Sequence, residues 1–536
     1  MPVSIRPPDS VIRPTRRAFL GMSLALALGA ATGCSSAVAE LRSGAATSAA
    51  TGPVRGGTLR VGVLQDLVAG GVMMGTHSTA TLLTGLAFDR LVEYSDGTLT
   101  PQPSLATEWT ISPDGRRFEF TLRDDVRYHS GRPFTSADAE FSLRAYADPV
   151  WTAQLRSTAA AITSFDSSDP HRLVLGLDAP VGNLFDLLSM VPMIDAESAE
   201  DLRAGLRYVG TGPFRFAART PNSRIEFVRN DSYWQPERPY LDGVAVTIVP
   251  DASALLSSVR AGQVDISPDL TYRDANNLTR LGGFRVVDGN GAESNAYLGM
   301  NVLAPGLSDV RVRRAVALAV DRDRIVDEVY RGSARAASLP WPESSPAYDP
   351  VKDRTFTRDV EAARALLDEA RRDGDVPAIP LSYSAGSPSY EVIAQIVQAD
   401  LAEAGLEIRL DPVEYTVAIE RLTSGEFPGI WLLQHGFAQY QPSTLTVSAY
   451  PFNARRNASN FRSDDYIRIA DAAWRIPDGA SPDAIARYGE LSDALLDSVF
   501  LAELAVVTPR TVVSSRVQEF TWNRRGEALL AGTYLS

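Results

Sequence analysis

Amide and aromatic side chains with the chemistry of a ligand pocket are concentrated in one short stretch of the sequence. Its candidate contact residues are Trp431, Gln434, His435, Phe437, Gln439, Tyr440 and Gln441. Amides both donate and accept hydrogen bonds, while aromatic rings offer a ligand apolar surface. We therefore predict that this stretch forms one edge of a pocket for a polar small molecule.

The stretch begins on a predicted strand at 428–437, in a region where strands and helices alternate. The same pattern includes two further strands, at 379–384 and 407–412, and three helices, at 359–372, 389–406 and 416–423. This alternation predicts a parallel sheet, and the loops at the carboxyl ends of parallel strands are where ligands collect. Since alternate residues of a strand face opposite sides, we expect roughly half of the candidates to be core residues.

Three weaker candidates lie elsewhere in the chain. Asn295 and Tyr297 fall on a predicted strand at 295–302, and Trp341 lies in a Leu-Pro-Trp-Pro loop. For Trp341 the alternative is a packing role that anchors the loop.

Motifs of the common hydrolytic enzymes are absent from the sequence. It contains no H-E-x-x-H, no G-x-S-x-G and no cysteine nucleophile, and its four histidines are far apart, at His77, His129, His171 and His435. We predict a protein that is not an enzyme and uses neither a cofactor nor a metal. A secreted hydrolase whose carboxylates converge in the fold stays open as an alternative.

The first 54 residues predict export and anchoring rather than a folded domain. Arg16 and Arg17 precede a short apolar run at 21–32, which is typical of a twin-arginine signal peptide and too short to span a bilayer. Cys34, the only cysteine, follows this run in a context that resembles a bacterial lipobox. We expect a Tat-type lipoprotein signal at 1–33, lipid attachment at Cys34 and a flexible Ala/Ser/Gly/Thr tether at 34–54.

The charge of the chain argues against a nucleic-acid partner. The formal net charge is −13, and removal of residues 1–33, with four Arg and one Asp, would leave −16. Nucleic-acid binding and polybasic membrane binding both require a basic surface. The lipid is therefore the only membrane attachment that we predict, for a monomer on the outer face of the cytoplasmic membrane.

The most distinctive series of motifs in the sequence lies in residues 88–143. Phe118, Phe120 and Leu122 alternate as in a half-buried strand, and Thr135 begins a helix-capping sequence. Three motifs follow one another here: a Trp-x-x-Ser-x-Asp-Gly turn, a strand ending in Leu-Arg, and the segment Tyr-His-Ser-Gly-Arg-Pro-Phe-Thr-Ser-Ala-Asp. This order resembles the family 5 extracellular solute-binding proteins, which deliver oligopeptides, dipeptides, nickel complexes or opines to ABC transporters.

The resemblance implies an α/β chain with the class II periplasmic-binding-protein fold. Two main lobes would be joined by a hinge, with an extra small α+β domain inserted. The expected divisions are lobe I at 55–87, 206–296 and 505–536, the extra domain at 88–205, and lobe II at 297–504. A ligand would then be trapped between the lobes by hinge closure and presented to the permease subunits.

The cleft stretch departs from the patterns of the family. Peptide-binding relatives have aromatic-x-Ala-Asp-Tyr, whose Asp pairs with the peptide ammonium, where this chain has Gln439 before Tyr440. Nickel-binding relatives have Tyr-Asp-Pro-His, where this chain has Gln441 and Ser443. An amide supplies no counter-charge, and burying an unpaired cation is costly, so ordinary capture of a peptide amino terminus requires another carboxylate.

The sequence as a whole predicts the substrate-binding lipoprotein of an ABC importer. Its ligand would be a peptide-like or other polar, amide-bearing solute. A metal–chelator or opine complex is the alternative within binding proteins, and a signalling lipoprotein that has lost transport is a third possibility.

Overall fold

The computed structural model describes residues 52–68, 77–94, 97–151 and 154–536. Residues Val54–Ser536 form a compact unit. The predicted signal peptide, Cys34 and nearly all of the predicted tether lie outside the described residues.

A seven-stranded mixed sheet gathers strands from three distant parts of the chain. In spatial order its strands are Phe284–Asp288, Arg510–Ser514, Ile266–Ser267, Thr58–Val63, Gly243–Ile248, Arg224–Arg229 and Phe214–Thr220. The central pair Thr58–Val63 and Gly243–Ile248 runs parallel. Because parallel neighbours need a long crossover, the chain between them has room for an inserted domain.

A six-stranded sheet forms the second layer. In spatial order its strands are Ala334–Ala336, Leu501–Val507, Ser294–Met300, Ile430–His435, Ile379–Ser384 and Ile408–Val413. Ile379–Ser384 runs parallel to both Ile408–Val413 and Ile430–His435, so the predicted parallel arrangement of this region is confirmed. The predicted divisions at 296/297 and 504/505 fall inside two strands of this sheet.

A four-stranded antiparallel sheet takes two of its strands from residues 88–143. Its strands are Ala106–Ile111, Arg117–Leu122, Arg172–Leu177 and Ile162–Asp169. Phe118, Phe120 and Leu122 are buried, as their alternation predicts. Thr135 forms a capping box with Asp138 at the start of helix Ser136–Ala147, which confirms the predicted N-cap.

Helices cover these sheets, and short strand pairs complete the chain. The α-helices are Ser78–Ala87, Ser136–Ala147, Arg156–Ala160, Leu184–Met190, Ala199–Arg203, Ala252–Arg260, Tyr272–Leu281, Val310–Ala319, Arg322–Ile325, Val360–Asp373, Pro388–Glu403, Tyr415–Ser424, Pro442–Ser448, Asp464–Trp474 and Pro482–Ser498. The short pairs are Val92–Tyr94 with Pro101–Pro103, Val517–Gln518 with Tyr534–Leu535, and Thr521–Trp522 with Ala528–Leu529. Among the described residues, no helix has the length and apolar character needed to cross a membrane.

The chain passes between the two large sheets at two neighbouring segments, 289–293 and 508–509. The Gly289 amide donates to the Pro509 carbonyl at 2.8 Å, so the two crossings lie side by side. Arg510 and Asp288 form an ion pair at 2.8 Å just beyond this point. Two adjacent crossings of this kind are typical of the hinge in a two-lobed protein.

Candidate functional site

The predicted pocket residues begin where strand Ile430–His435 leaves the six-stranded sheet. Residues 430–433 are buried, and exposure starts at Gln434, whose side-chain amide donates to the Tyr330 hydroxyl at 3.2 Å. Residues 436–441, which we call the cleft loop, then turn away from the sheet toward helix Pro442–Ser448. The cleft loop therefore extends from an end of the parallel strands, where the ligands of α/β sheets bind.

Four of the sequence candidates lie inside the six-stranded layer, with 0 to 1% of their surface exposed: Asn295, Tyr297, Trp341 and Trp431. The Trp431 indole stacks on Phe427 at 4.3 Å, and Trp341 Nε1 donates to Ser492 Oγ at 2.9 Å. Asn295 Nδ2 donates to the Pro340 carbonyl at 2.7 Å. These side chains pack the lobe and offer no surface to a ligand in this structure.

His435 is a neutral, half-buried residue at the start of the loop. Its Nδ1 accepts a hydrogen bond from the Phe437 amide at 3.3 Å, and its ring lies against Phe437 and Phe452. Burial lowers the pKa of His435 to about 3. Because Nδ1 is the acceptor, the proton of the neutral ring is on Nε2.

Gln439 joins the cleft loop to the C-terminal segment of the chain. Its Nε2 donates to the Arg524 carbonyl at 3.1 Å, and Arg524 Nη1 donates back to the Gln439 carbonyl at 2.7 Å. Gln439 is 5% exposed, while Arg524 is half-buried. This reciprocal pair fixes the position that the peptide-binding pattern assigns to an acid.

Arg524 also reaches the strand pair Val92–Tyr94 and Pro101–Pro103 and the connection between its strands. Its Nη2 donates to the Thr98 carbonyl at 2.9 Å, and its guanidinium lies 5.9 Å from the centre of the Tyr94 ring. Tyr94 in turn lies 6.2 Å from Tyr440, which is 2% exposed. A single arginine therefore links the cleft loop, the C-terminal segment and the inserted part of the chain.

Two polar atoms at this junction are buried without a hydrogen-bond partner among the described residues. They are Gln439 Oε1, an acceptor, and Arg524 Nε, a donor. A buried polar group without a partner costs about 1–3 kcal/mol. Both atoms are closed to solvent in this structure, so a solute that offers a donor and an acceptor could pair with them only after hinge opening exposes the junction.

Asp186, which no sequence pattern singled out, holds the far end of the loop. Its carboxylate accepts from the Gln441 amide at 3.0 Å and from the hydroxyls of Thr444 and Tyr94. Burial raises the pKa of Asp186 to about 6, although the hydrogen bond from Thr444 acts in the opposite direction. Asp186 is completely buried, so it positions Gln441 and is inaccessible to a ligand.

A second buried carboxylate, Glu527, lies behind the C-terminal segment. It is 0% exposed and pairs with Arg90, while Thr84 Oγ1 donates to it at 2.6 Å and Asn523 Nδ2 at 2.8 Å. Burial acts to raise its pKa, but the charges of Arg90 and Arg525 outweigh that effect and lower it. This ionised, fully bonded group supports the segment that carries Arg524.

The remaining candidates contribute shape to the loop. Phe437 is 7% exposed and packs at 6.3 Å from Tyr440, and Gln441 is half-buried with its Oε1 at 3.5 Å from the Tyr488 hydroxyl. In the described part of the chain, no group of three or more His, Cys, Asp or Glu side chains could hold a metal ion.

The structure thus brings Gln439, Tyr440 and Gln441 together with Arg524, Tyr94 and Asp186. Sequence reasoning missed these last three residues because they lie roughly a hundred to several hundred positions away, in segments without a ligand-binding pattern. The sequence offers one sign of a ligand contact in these segments, the pair Arg524-Arg525 after Trp522-Asn523. Charge alone does not distinguish such a pair from an ordinary surface turn.

Two large α/β sheets joined by two neighbouring crossings, together with an inserted antiparallel domain, are the architecture of a two-lobed binding protein. The family described as bacterial extracellular solute-binding proteins, family 5 Middle, matches residues 100–454. The chain belongs to this family, which confirms the resemblance seen in the sequence. Members of the family are exported solute-binding components of ABC importers.

Individual relatives agree with this assignment. A putative ABC transporter peptide-binding protein of Brucella ovis is 28% identical over 467 residues, covering 81% of this chain and 84% of that protein. Two solved structures share the fold. DppA of Helicobacter pylori in complex with the peptide STSA has a TM-score of 0.79 at 21% identity, covering 90% of this chain and 98% of the other. AgaA of A. tumefaciens R10 in complex with agropinic acid has a TM-score of 0.80 at 23% identity, covering 90% and 99%.

Proposed function

We propose that this protein captures a polar small molecule in the cleft beside residues 436–441 and delivers it to the permease subunits of an ABC importer. The observation that carries the proposal is the junction of Gln439 and Arg524, where a buried acceptor and a buried donor lack partners among the described residues. The junction lies between the two lobes and the inserted domain. Hinge closure over a solute at this point would give the permease a distinct liganded state to recognise.

The solute class that we propose is peptide-like or otherwise polar and amide-bearing. The relative from Brucella ovis carries the name of a peptide-binding protein, and the Gln439 amide is suited to exchange hydrogen bonds with an amide group. An opine or a metal–chelator complex is the second candidate. The absence of an acid at position 439 and the proximity of the Arg524 cation favour the opine.

The attachment and location that we propose follow from the N-terminal sequence. After Tat export, Cys34 would become the lipid-modified first residue and residues 34–54 a tether. The protein would then act as a monomer on the outer face of the cytoplasmic membrane. The extra domain at 88–205 remains the proposed insertion, and we place the two lobe boundaries at the crossings 289–293 and 508–509, because the predicted divisions at 296/297 and 504/505 would each cut a strand.

We further propose that the protein is non-catalytic, with the secreted hydrolase as the competing function. Two experiments test the proposal together. Mass spectrometry of the protein purified natively should identify a co-purified solute. Titration of that solute should change Trp and Tyr fluorescence while the solute stays chemically intact, whereas product formation by the purified protein would contradict a binding-only function.

A further inference from the structure

The charges around the Gln439–Arg524 junction indicate which end of a solute it recognises. The half-buried Arg524 guanidinium brings a positive charge to the loop. Each of its Nη atoms donates to one main-chain carbonyl, and its buried Nε has no hydrogen-bond partner among the described residues. A guanidinium has five N–H donors in a planar fork that matches a carboxylate, so this side chain retains donors for an anionic group.

The carboxylates near the junction are already engaged or uncharged. Asp186 is completely buried and accepts from the cleft loop and Tyr94, and Glu527 is paired with Arg90. Glu93 is half-buried, and burial raises its pKa to about 8, so it is largely protonated at neutral pH. None of these three groups offers a free negative charge to a ligand ammonium.

Glu293 is the competing partner for a ligand ammonium. It lies two residues before Asn295, which pairs with His435 in the sheet. Its Oε1 accepts from the Gly291 amide at 3.0 Å, and its buried Oε2 has no partner among the described residues. A Cβ on Gly291 would lie 3.8 Å from Arg524 Nη2, so the Arg524 cation lies close to the segment that carries Glu293.

We propose that the junction of Gln439 and Arg524 recognises a carboxylate or similar anionic group of the solute, and that a free ammonium is not required. This inference rests on the proposed binding function and specifies its substrate class. Arg524 is the specificity-determining residue, because its guanidinium is held at the cleft loop by the hydrogen bond that it donates to the Gln439 carbonyl. Gln439 Oε1 accepts a hydrogen bond from a neutral amide or hydroxyl beside that anionic group.

A matched set of ligands tests this charge preference. The probes are the dipeptide Ala-Gln, its N-acetyl derivative, which keeps only the carboxylate, and its C-terminal amide, which keeps only the ammonium. Calorimetric titration of the full mature protein should give an affinity for the N-acetyl form at least about tenfold higher than for the amide form, the size expected for one charge-assisted hydrogen bond.

Variants identify the residue responsible. Arg524→Gln should lower the affinity for the N-acetyl form about tenfold, and Gln439→Asp should move the preference toward the amide form. Arg468→Gln is the matched control, because it removes an equal charge from a residue whose side chain is 64% exposed. Thermal melting checks that each variant folds. If Arg524→Gln unfolds, Arg524→Lys replaces it; this variant keeps the charge but loses the planar fork, so the affinity for the N-acetyl form should fall while the preference over the amide form remains.

Three outcomes would overturn the inference: equal or stronger binding of the amide form, loss of amide-form binding in Glu293→Gln alone, or no binding of any of the three probes. In each of these cases the proposed function is judged separately, by whether natively purified protein carries a solute. A co-purified cationic solute would refute the charge preference while leaving the binding function intact.

Discussion

Substitution of Asp186 tests how the cleft loop is held in position. The carboxylate accepts from the Gln441 amide at 3.0 Å and from the hydroxyls of Thr444 and Tyr94. Asn has the same shape, its Oδ1 can keep the Gln441 and Thr444 bonds, and its Nδ2 can donate to a rotated Tyr94 hydroxyl. We therefore expect Asp186→Asn to fold and to bind solute as the unchanged protein does at pH 7.

Asp186→Ala should behave very differently from Asp186→Asn. The Ala side chain has no hydrogen-bond acceptor, so a buried main-chain N–H and two hydroxyls lose the acceptor that Asp186 provides. A buried donor that loses its partner costs about 1–3 kcal/mol, and the hydroxyls can partly find other acceptors. We expect the free energy of unfolding to fall by roughly 3 kcal/mol, with weaker solute binding because Gln441 is no longer fixed.

The same carboxyl group gives a pH dependence with a defined sign. Burial raises the pKa of Asp186 from 3.8 to about 6, so the folded protein holds the proton more tightly than the unfolded chain does. The stability from this group is fully present below pH 3.8 and is lost as the pH rises through about 6. Between pH 4 and pH 7 the loss amounts to about 2 kcal/mol, and Asp186→Asn should not show it.

Urea unfolding followed by Trp fluorescence, from pH 4 to pH 7, measures these effects. The quantity of interest is the difference in unfolding free energy between the unchanged protein and Asp186→Asn, since other carboxyl groups contribute equally to both. A difference that stays constant across this range would refute the assignment of the buried, proton-binding state. Equal stability of the Ala and Asn variants would refute the role of the three hydrogen bonds.

Three further predictions address anchoring and packing. Cys34→Ser should leave the protein out of the membrane fraction while solute binding by the purified protein is unchanged; membrane attachment without Cys34 would contradict the lipid anchor. Asn183→Ala should destabilise the fold by roughly 3 kcal/mol in urea unfolding, because buried Asn183 bonds two threonine hydroxyls at 2.9 Å and an indole at 2.6 Å. Gly299→Ala should lower the melting temperature, because its Cβ would come within 2.1 Å of an indole ring, whereas Gly374→Ala, with nothing within 4 Å, should not.

Local patterns were sufficient to predict much of the scaffold. The alternation of Phe118, Phe120 and Leu122 and the capping residues from Thr135 depend on neighbours within a few positions, and both predictions are confirmed. The parallel arrangement of strands after residue 379 is confirmed for a similar reason, because alternating strands and helices admit few topologies. The family followed from the order of such patterns.

Burial of the individual candidates required the tertiary structure. Trp431 and Gln434 are three residues apart on one strand, yet the first is fully buried and the second is exposed. A strand whose two faces are both covered gives no alternating pattern that could separate them. Aromatic chemistry at Trp341 and Tyr297 is equally compatible with packing and with binding, and only their neighbours decide between these roles.

The sequence by itself determined the family, the scaffold and the missing acid at position 439. Only the tertiary structure decided what surrounds that position: Arg524 from the C-terminal segment, and Tyr94 and Asp186 from the inserted domain. The physical reason is the separation along the chain of the residues that determine each property. Secondary structure responds to residues a few positions apart, whereas the charge of a pocket is the sum over side chains brought together from distant segments by the closure of the fold.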